Sequence, residues 1–264
     1  MKKQILLCGL LVVFVLEGTL QAQTQTFTIL SIRRKATIDK TALNEKLKGA
    51  RSRAEVSKIL LNHLGGTRDA VVRILERKGK DSYLWWTFDN SNSKQSGSQL
   101  TVMGTRALND DETIYKRYQF REIFRDTLVV IDTLKLKLAL RDVTYPADQY
   151  YLQLNNTADR RSIPVLNGRE LCFTTLVLDG TIGHYRKVSL HNEADTARTL
   201  SSGYLLCVDD SFKEELESLI RALRLDKITD PGELADYAQE YLRQHYGGKV
   251  LRSNVYRWVE RLTY

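Results

Sequence analysis

The sequence contains few of the residues that build metal centres and nucleophilic sites. It has only four histidines and three cysteines in 264 residues, and no two histidines lie at the spacing of metal ligands. It also lacks a Gly-x-Ser-x-Gly turn and a glycine-rich phosphate loop. We therefore expect no metal site and no cofactor, and the sequence leans against an enzyme.

Long hydrophobic runs are equally scarce, since the one clear run covers residues 5–16. About twelve apolar residues are too few to span a bilayer, which takes about 20. Lys2 and Lys3 precede the run and Ala22 follows it, which is the layout of a secretory signal peptide. The sequence thus predicts a signal peptide over residues 1–22 and no transmembrane helix after its removal.

The end of this leader, residues 20–23, resembles that of exported proteins from Bacteroidetes-type bacteria, and the likeness covers the leader alone. We expect the mature chain, from Gln23 onward, to be exported. It would be periplasmic, associated with the outer membrane or secreted.

Charge is distributed unevenly along the chain. The net charge of the whole chain is +8. Residues 23–125 hold 20 Lys and Arg against 11 Asp and Glu, whereas residues 126–264 hold 18 against 20. A basic half favours an anionic partner, although it would also serve simply to keep the protein soluble.

Cys172 and Cys207 are the two cysteines of the mature chain. A lone pair of cysteines in an oxidising compartment favours a disulfide. Closing a loop of about 35 residues would contribute roughly 3–4 kcal/mol by the chain-entropy estimate. The alternative is two buried thiols that act as small apolar side chains.

Residues 23–112 are predicted to form an N-terminal region with strands and helices. The basic run Arg33, Arg34 and Lys35 follows the first strand, and His63 continues the apolar stripe of a helix, which predicts a packed histidine. Trp85 and Trp86 are neighbours in a predicted hairpin strand, so one ring points to each face. These three basic residues and the two tryptophans are our candidate binding residues, with one indole in the core and the other open to a partner.

Residues 113–208 are predicted to contain about six short strands separated by turns. Alternating apolar and polar residues over 134–140 and the Asn167-Gly168 turn favour antiparallel pairing. Residues 128–140 are predicted to hold two strands, or one long strand with a bulge at Asp132. The fold class is therefore α+β, with an antiparallel β-sandwich or partial barrel over about residues 126–208.

Residues 209–264 show helical periodicity. Ser211 with Glu214 predicts a capping box, and Pro231 predicts the first turn of a second helix. Gly247-Gly248 predicts its end. A C-terminal helical segment completes the predicted α+β architecture.

His184 and His191 are weak candidates for general acid or base catalysis, because Glu193 and Asp195 follow them closely. Without a nucleophile or metal motif, we favour a non-enzymatic cell-envelope protein that binds a protein partner or an anionic envelope polymer. The alternative is a periplasmic or secreted hydrolase of envelope glycan or peptide. We expect no nucleic-acid partner, because an exported protein seldom meets one.

Overall fold

The computed structural model divides into two compact units, residues 1–95 and 96–264. It describes residues 27–33, 38–64, 70–79, 82–89, 96–101, 117–132, 135–139, 150–154, 160–162, 165–166, 170–174 and 185–263. The candidate residues Arg34, Lys35 and His184 lie outside these ranges.

The first unit contains three paired strands and two helices. Its elements are β1 (Phe27–Arg33), α1 (Lys40–Leu47), α2 (Arg53–His63), β2 (Val71–Gly79) and β3 (Ser82–Asp89). The strands pair antiparallel in the order β1-β2-β3, with a register shift between Ile29 and Ser31. The predicted hairpin between β2 and β3 is confirmed.

Both helices of the first unit contribute to the core on one face of this sheet. Leu43 and Leu47 of α1 and Val56 and Leu60 of α2 share a buried cluster with Trp86 of β3. The strand period of two gives the sheet this apolar face, and the helix period gives each helix its matching stripe. On the other face of the sheet, Leu75 and Tyr83 are also buried.

His63 is exposed, so the prediction of a packed histidine is wrong. The buried side chains Val56, Leu60 and Leu64 advance four residues at a time. Each such step rotates the stripe by about 40°, and by the last turn His63 lies about 100° away from Leu64. Its Nδ1 bonds the Ile59 carbonyl at 2.8 Å, and its Nε2 contacts Lys46 Nζ.

The second unit carries most of the secondary structure. Its strands are β4 (Ser96–Thr101), β5 (Arg117–Gln119), β6 (Leu128–Val130), β7 (Lys135–Ala139), β8 (Tyr150–Leu154), β9 (Arg160–Ser162), β10 (Val165–Leu166), β11 (Glu170–Thr174), β12 (Tyr185–Asn192), β13 (Ser201–Cys207) and β14 (Lys249–Val250). Its helices are α3 (Phe120–Ile123), α4 (Asp210–Leu225), α5 (Pro231–Tyr246) and α6 (Arg252–Thr263).

Two mixed sheets contain ten of these eleven strands, all except β4. One has the order β14-β6-β13-β12-β8-β9, and the other has the order β10-β11-β7-β5. Strand β6 is parallel to both of its neighbours, and β5 is parallel to β7. The prediction of an α+β fold is confirmed, but the β region is not purely antiparallel. Strands β10 and β11 pair as the Asn167-Gly168 signal predicts.

Asp132 lies two residues after the end of β6 and does not form a bulge within a longer strand. Its backbone is left-handed, with φ of 54°, and β6 and β7 on either side belong to different sheets. Its carboxylate pairs with Lys213 at 2.8 Å and with Arg261 at 2.9 Å. Burial disfavours the charge on Lys213, but hydrogen bonds to Asp132 and Asp210 outweigh it and raise the pKa of Lys213. These pairs tie the end of β6 to α4 and α6.

The C-terminal helices begin and end at polar and glycine residues. Helix α4 is capped by Asp209, whose carboxylate accepts the Phe212 N–H at 2.9 Å, so the capping box predicted from Ser211 is wrong. Aspartate in this position also suits the positive end of the helix dipole. Pro231 opens α5, and Gly247 ends it with φ of 65°, both as predicted.

Candidate functional site

The first unit holds the candidate residues that the structure brings together. Strand pairing places Arg33 opposite Val71 and places Arg73 between Ser31 and Thr87. Residues paired directly across a sheet share a face, and so do residues two apart on one strand. Arg33, Arg73, Arg77 and Trp85 therefore lie on one face of the β1-β2-β3 sheet, which we name the arginine face.

Arg73 and Trp85 are in direct contact on the arginine face. The Arg73 guanidinium carbon lies 5.9 Å from the centroid of the Trp85 ring, which is the geometry of a cation–π contact. The Arg77 Nε donates to the Gly79 carbonyl at 3.2 Å. The arginine face thus combines guanidinium groups with an aromatic ring.

Burial differs between the polar and apolar residues of the arginine face. Leu75 and Tyr83 are 3% and 1% exposed, whereas Arg33, Arg73 and Trp85 are half-buried. Asp89 pairs with Val71 at the end of the hairpin and adds one acidic group to this face. Among the described residues of this face, three arginines stand against this one carboxylate.

Trp86 lies on the opposite, helix-covered face and is fully buried. Arg53 of α2 sits over its ring, 5.4 Å from the centroid. The Arg53 Nε donates to the buried Glu76 carboxylate at 2.8 Å, and Lys78 also contacts Glu76. The two neighbouring tryptophans therefore have separate environments, one in the core and one beside the arginines.

His191 is buried on β12 and stacks against Tyr151 of β8, with the ring centroids 5.3 Å apart. Its Nδ1 has no hydrogen-bond partner among the described residues. Its neighbour Asn192 accepts the Ala194 N–H at 2.8 Å, which begins the turn toward β13. Glu193 is exposed in that turn. Among the described contacts of His191, none is to a carboxylate.

Cys207 lies half-buried at the end of β13 and forms no disulfide within the described part of the chain. Burial raises the pKa of Cys207 to about 11, against the weaker opposing effect of Arg186 and Lys213. Cys172 lies on β11, in the other sheet of the unit, and its side chain is outside the described part. The predicted disulfide therefore stays a prediction.

Metal-ligating residues do not gather in the described part of the chain. No three His, Cys, Asp or Glu side chains within it could hold a metal ion together. Within the same ranges, none of the helices has the length and apolar content to cross a membrane.

Sequence reasoning missed Arg73 and Arg77 as members of the site. Both occupy odd-numbered positions of a strand whose even-numbered positions include the buried Val72 and Ile74. That alternation was a usable signal, since residues two apart on a strand share a face. Only the strand assignment brings them beside Trp85.

Comparison with known proteins does not assign the chain to a family. No protein-family model matches the chain, and no curated protein sequence matches it.

Proposed function

We propose that this chain is an exported, non-enzymatic envelope protein that binds a protein partner or an anionic envelope polymer through its first unit. The observation that carries the proposal is the arginine face, where three arginines share one sheet surface with Trp85. Arginine offers a planar set of N–H donors that matches carboxylates and phosphates, and tryptophan adds contact area. The signal peptide predicted over residues 1–22 would direct the chain to the cell envelope.

Co-sedimentation of the whole chain with purified bacterial envelope tests this proposal. We expect binding at low salt that weakens as salt screens the charges. Protease treatment of the envelope then separates the two partner classes, because a protein partner would be lost and a polymer would remain. Absence of binding at low salt would contradict the proposal.

A matched pair of triple variants locates the binding surface. Changing Arg33, Arg73 and Arg77 to Gln removes three positive charges from the arginine face. Changing Lys48, Arg51 and Lys58 to Gln removes three from the exposed helical side of the same unit. We expect the first triple variant to lose envelope binding and the second to retain most of it.

A hydrolase of envelope glycan or peptide is the second candidate. The observation in its favour is the buried Nδ1 of His191, which has no hydrogen-bond partner among the described residues. Replacing His184 and His191 together should abolish any hydrolysis of envelope glycan or peptide. Retention of a measured activity in that double variant would eliminate this candidate.

For the second unit, we propose that its two mixed sheets form a sandwich or partial barrel. The strand pattern over residues 126–208 supports this arrangement, because short strands with one apolar face must bury that face against another layer. Interatomic distances measured between spin labels on β8 and β11 would test it. Separations well beyond the roughly 10 Å between packed sheets, after allowance for the labels, would contradict it.

A further inference from the structure

Strand β1 lies at the end of its sheet and pairs with β2 on one side. A strand in this position presents backbone N–H and C=O groups along its outer edge, and an open edge of this kind pairs readily with another chain. The sequence of β1, Phe-Thr-Ile-Leu-Ser-Ile-Arg, combines apolar and β-branched residues with a single charge and contains neither proline nor glycine. This composition is typical of segments that associate through strand pairing.

Side chains of α1 bind two backbone groups of β1. Asn44 Oδ1 accepts the Ile29 N–H at 2.7 Å, and Lys40 Nζ donates to the Leu30 carbonyl at 2.5 Å. A neighbouring strand would offer β1 the same kinds of partner, a carbonyl oxygen and an N–H. Helix α1 therefore takes the place of a strand at this point of the edge.

The spacing of residues on α1 explains why its side chains reach β1. Lys40 and Asn44 are four residues apart, so they lie on the same side of the helix. Leu43 and Leu47, which are also four apart, are buried in the core that contains Ile29. The apolar pair holds α1 against the core, and the polar pair is thereby placed beside β1.

The two bonded backbone groups lie where β1 is irregular. The register with β2 shifts between Ile29 and Ser31, so Leu30 has no counterpart on β2. A bulge interrupts the regular spacing of backbone groups along an edge and makes pairing with a further strand harder. Ile29 and Leu30 are both 0% exposed, so water does not readily replace Asn44 or Lys40 as a partner.

We propose that Lys40 and Asn44 form an edge guard, which prevents β1 from pairing with β1 of a second copy of this chain. Two identical strands pair antiparallel about a two-fold axis, which makes a second β1 a self-complementary partner for this edge. The edge guard concerns self-association and does not depend on the ligand of the first unit.

Sedimentation velocity of the chain from Gln23 onward tests the edge guard, and we expect the wild type to be monomeric. The Lys40→Ala/Asn44→Ala double variant leaves two buried backbone groups without these partners. We expect its self-association to be about 10-fold stronger than that of the wild type, because pairing with a second β1 would satisfy both groups. Lys40→Arg/Asn44→Asp keeps a donor and an acceptor at these positions and should remain monomeric.

Lys58 and Asn62 provide a matched control. They repeat the Lys and Asn pair at the same four-residue spacing on α2, and both are exposed. Lys58→Ala/Asn62→Ala should keep self-association within about 2-fold of the wild type. A folded Lys40→Ala/Asn44→Ala variant that stays monomeric would overturn the inference, and so would equal association of the two double variants. Thermal unfolding checks the fold of each variant, and Asn44→Ala alone replaces the double variant if that one does not fold.

Hydrogen exchange of the Ile29 amide, measured by NMR, locates the contact between the two copies. In the dilute double variant this amide has lost its bond to Asn44, so it should exchange about 10-fold faster than in the wild type. At concentrations where the variant associates, pairing with a second β1 should slow the exchange again. Association that leaves the Ile29 amide exchanging fast would place the contact on another surface and would refute the edge guard.

Discussion

At the scale of single residues, Asn254 behaves as a one-residue strand partner for the end of β6. Its Oδ1 accepts the Ile131 N–H at 2.9 Å, and its Nδ2 donates to the Ile131 carbonyl at 3.1 Å. Asn254 and Ile131 are 6% and 1% exposed. One amide side chain therefore satisfies two buried backbone groups that lie 123 residues away in sequence.

Asn254→Ala should lower the free energy of unfolding by about 2–4 kcal/mol, because two buried backbone groups would lose their partners at about 1–3 kcal/mol each. Urea denaturation measures the change. Asn62→Ala removes the same side chain from an exposed position of α2 and should change stability by no more than about 0.5 kcal/mol. Equal losses in the two variants would contradict this role for Asn254.

Cys207 should react slowly in the folded protein. Burial raises its pKa from 9.0 to about 11, so at pH 8 the folded state holds about 100-fold less thiolate than the unfolded state. In the chain from Gln23 onward with Cys172→Ser, Cys207 is the sole thiol. Its reaction with Ellman's reagent should accelerate strongly when urea unfolds the chain, and equal rates in the two states would contradict the raised pKa.

The same pKa shift predicts how pH affects stability. Between pH 9 and 11 the folded state binds the Cys207 proton more tightly than the unfolded state does. The contribution of this thiol to stability is therefore fully present below pH 9 and is lost as the pH rises toward 11. Over this interval the unfolding free energy of the same chain should fall more steeply with pH than that of its Cys207→Ala variant.

At the scale of elements, β13 and the residue after α3 meet closely enough to require glycine. A Cβ on Gly203 would lie 2.2 Å from Phe124 Cβ and 2.4 Å from the Phe124 carbonyl oxygen. Phe124 shares a buried cluster with Phe120 and with inward-facing residues of the six-stranded sheet. Helix α3 thus packs on the sheet at a spacing that Gly203 permits.

Gly203→Ala should destabilise the protein by about 1–3 kcal/mol or more, because the clash involves backbone as well as side-chain atoms. Gly49→Ala is its control, since a Cβ there meets nothing within 4 Å. That substitution should be neutral or slightly stabilising, because alanine restricts the unfolded chain. Thermal unfolding compares them, and a neutral Gly203→Ala would show that α3 can move away.

At the scale of the whole molecule, the proposed function requires both a basic surface and export. Residues 23–125 hold the excess of basic over acidic residues, and the arginine face belongs to the first unit. An anionic envelope polymer becomes a relevant partner only if the chain leaves the cytoplasm. Export is therefore the property on which the proposal for the whole molecule depends.

Expression with its own leader in a Bacteroidetes-type host should place the protein outside the cytoplasm with Gln23 at its N-terminus. Intact mass and N-terminal sequencing of cell fractions measure this directly. Replacing Leu11 and Val12 with Arg breaks the apolar run and should leave the uncleaved chain inside the cell. Cytoplasmic wild-type protein that retains Met1 would contradict export.

The sequence by itself determined those elements that depend only on residues close together in the chain. Turn-forming residues 79–82 between two apolar runs predicted the β2–β3 hairpin, Pro231 and Gly247 predicted the start and end of α5, and a strand region followed by a helical segment predicted an α+β fold. The Trp85–Trp86 pair was expected to point to opposite faces for the same reason. These predictions need only backbone geometry and the period of each element.

Only the tertiary structure decided which distant residues meet. Strand register aligned Arg33 with Val71 and brought Arg73 beside Trp85, and the left-handed turn at Asp132 separated β6 from β7. The parallel pairing of β6 with β13 joins segments more than 70 residues apart. No local pattern encodes such pairing, because it depends on how several apolar faces are buried at once.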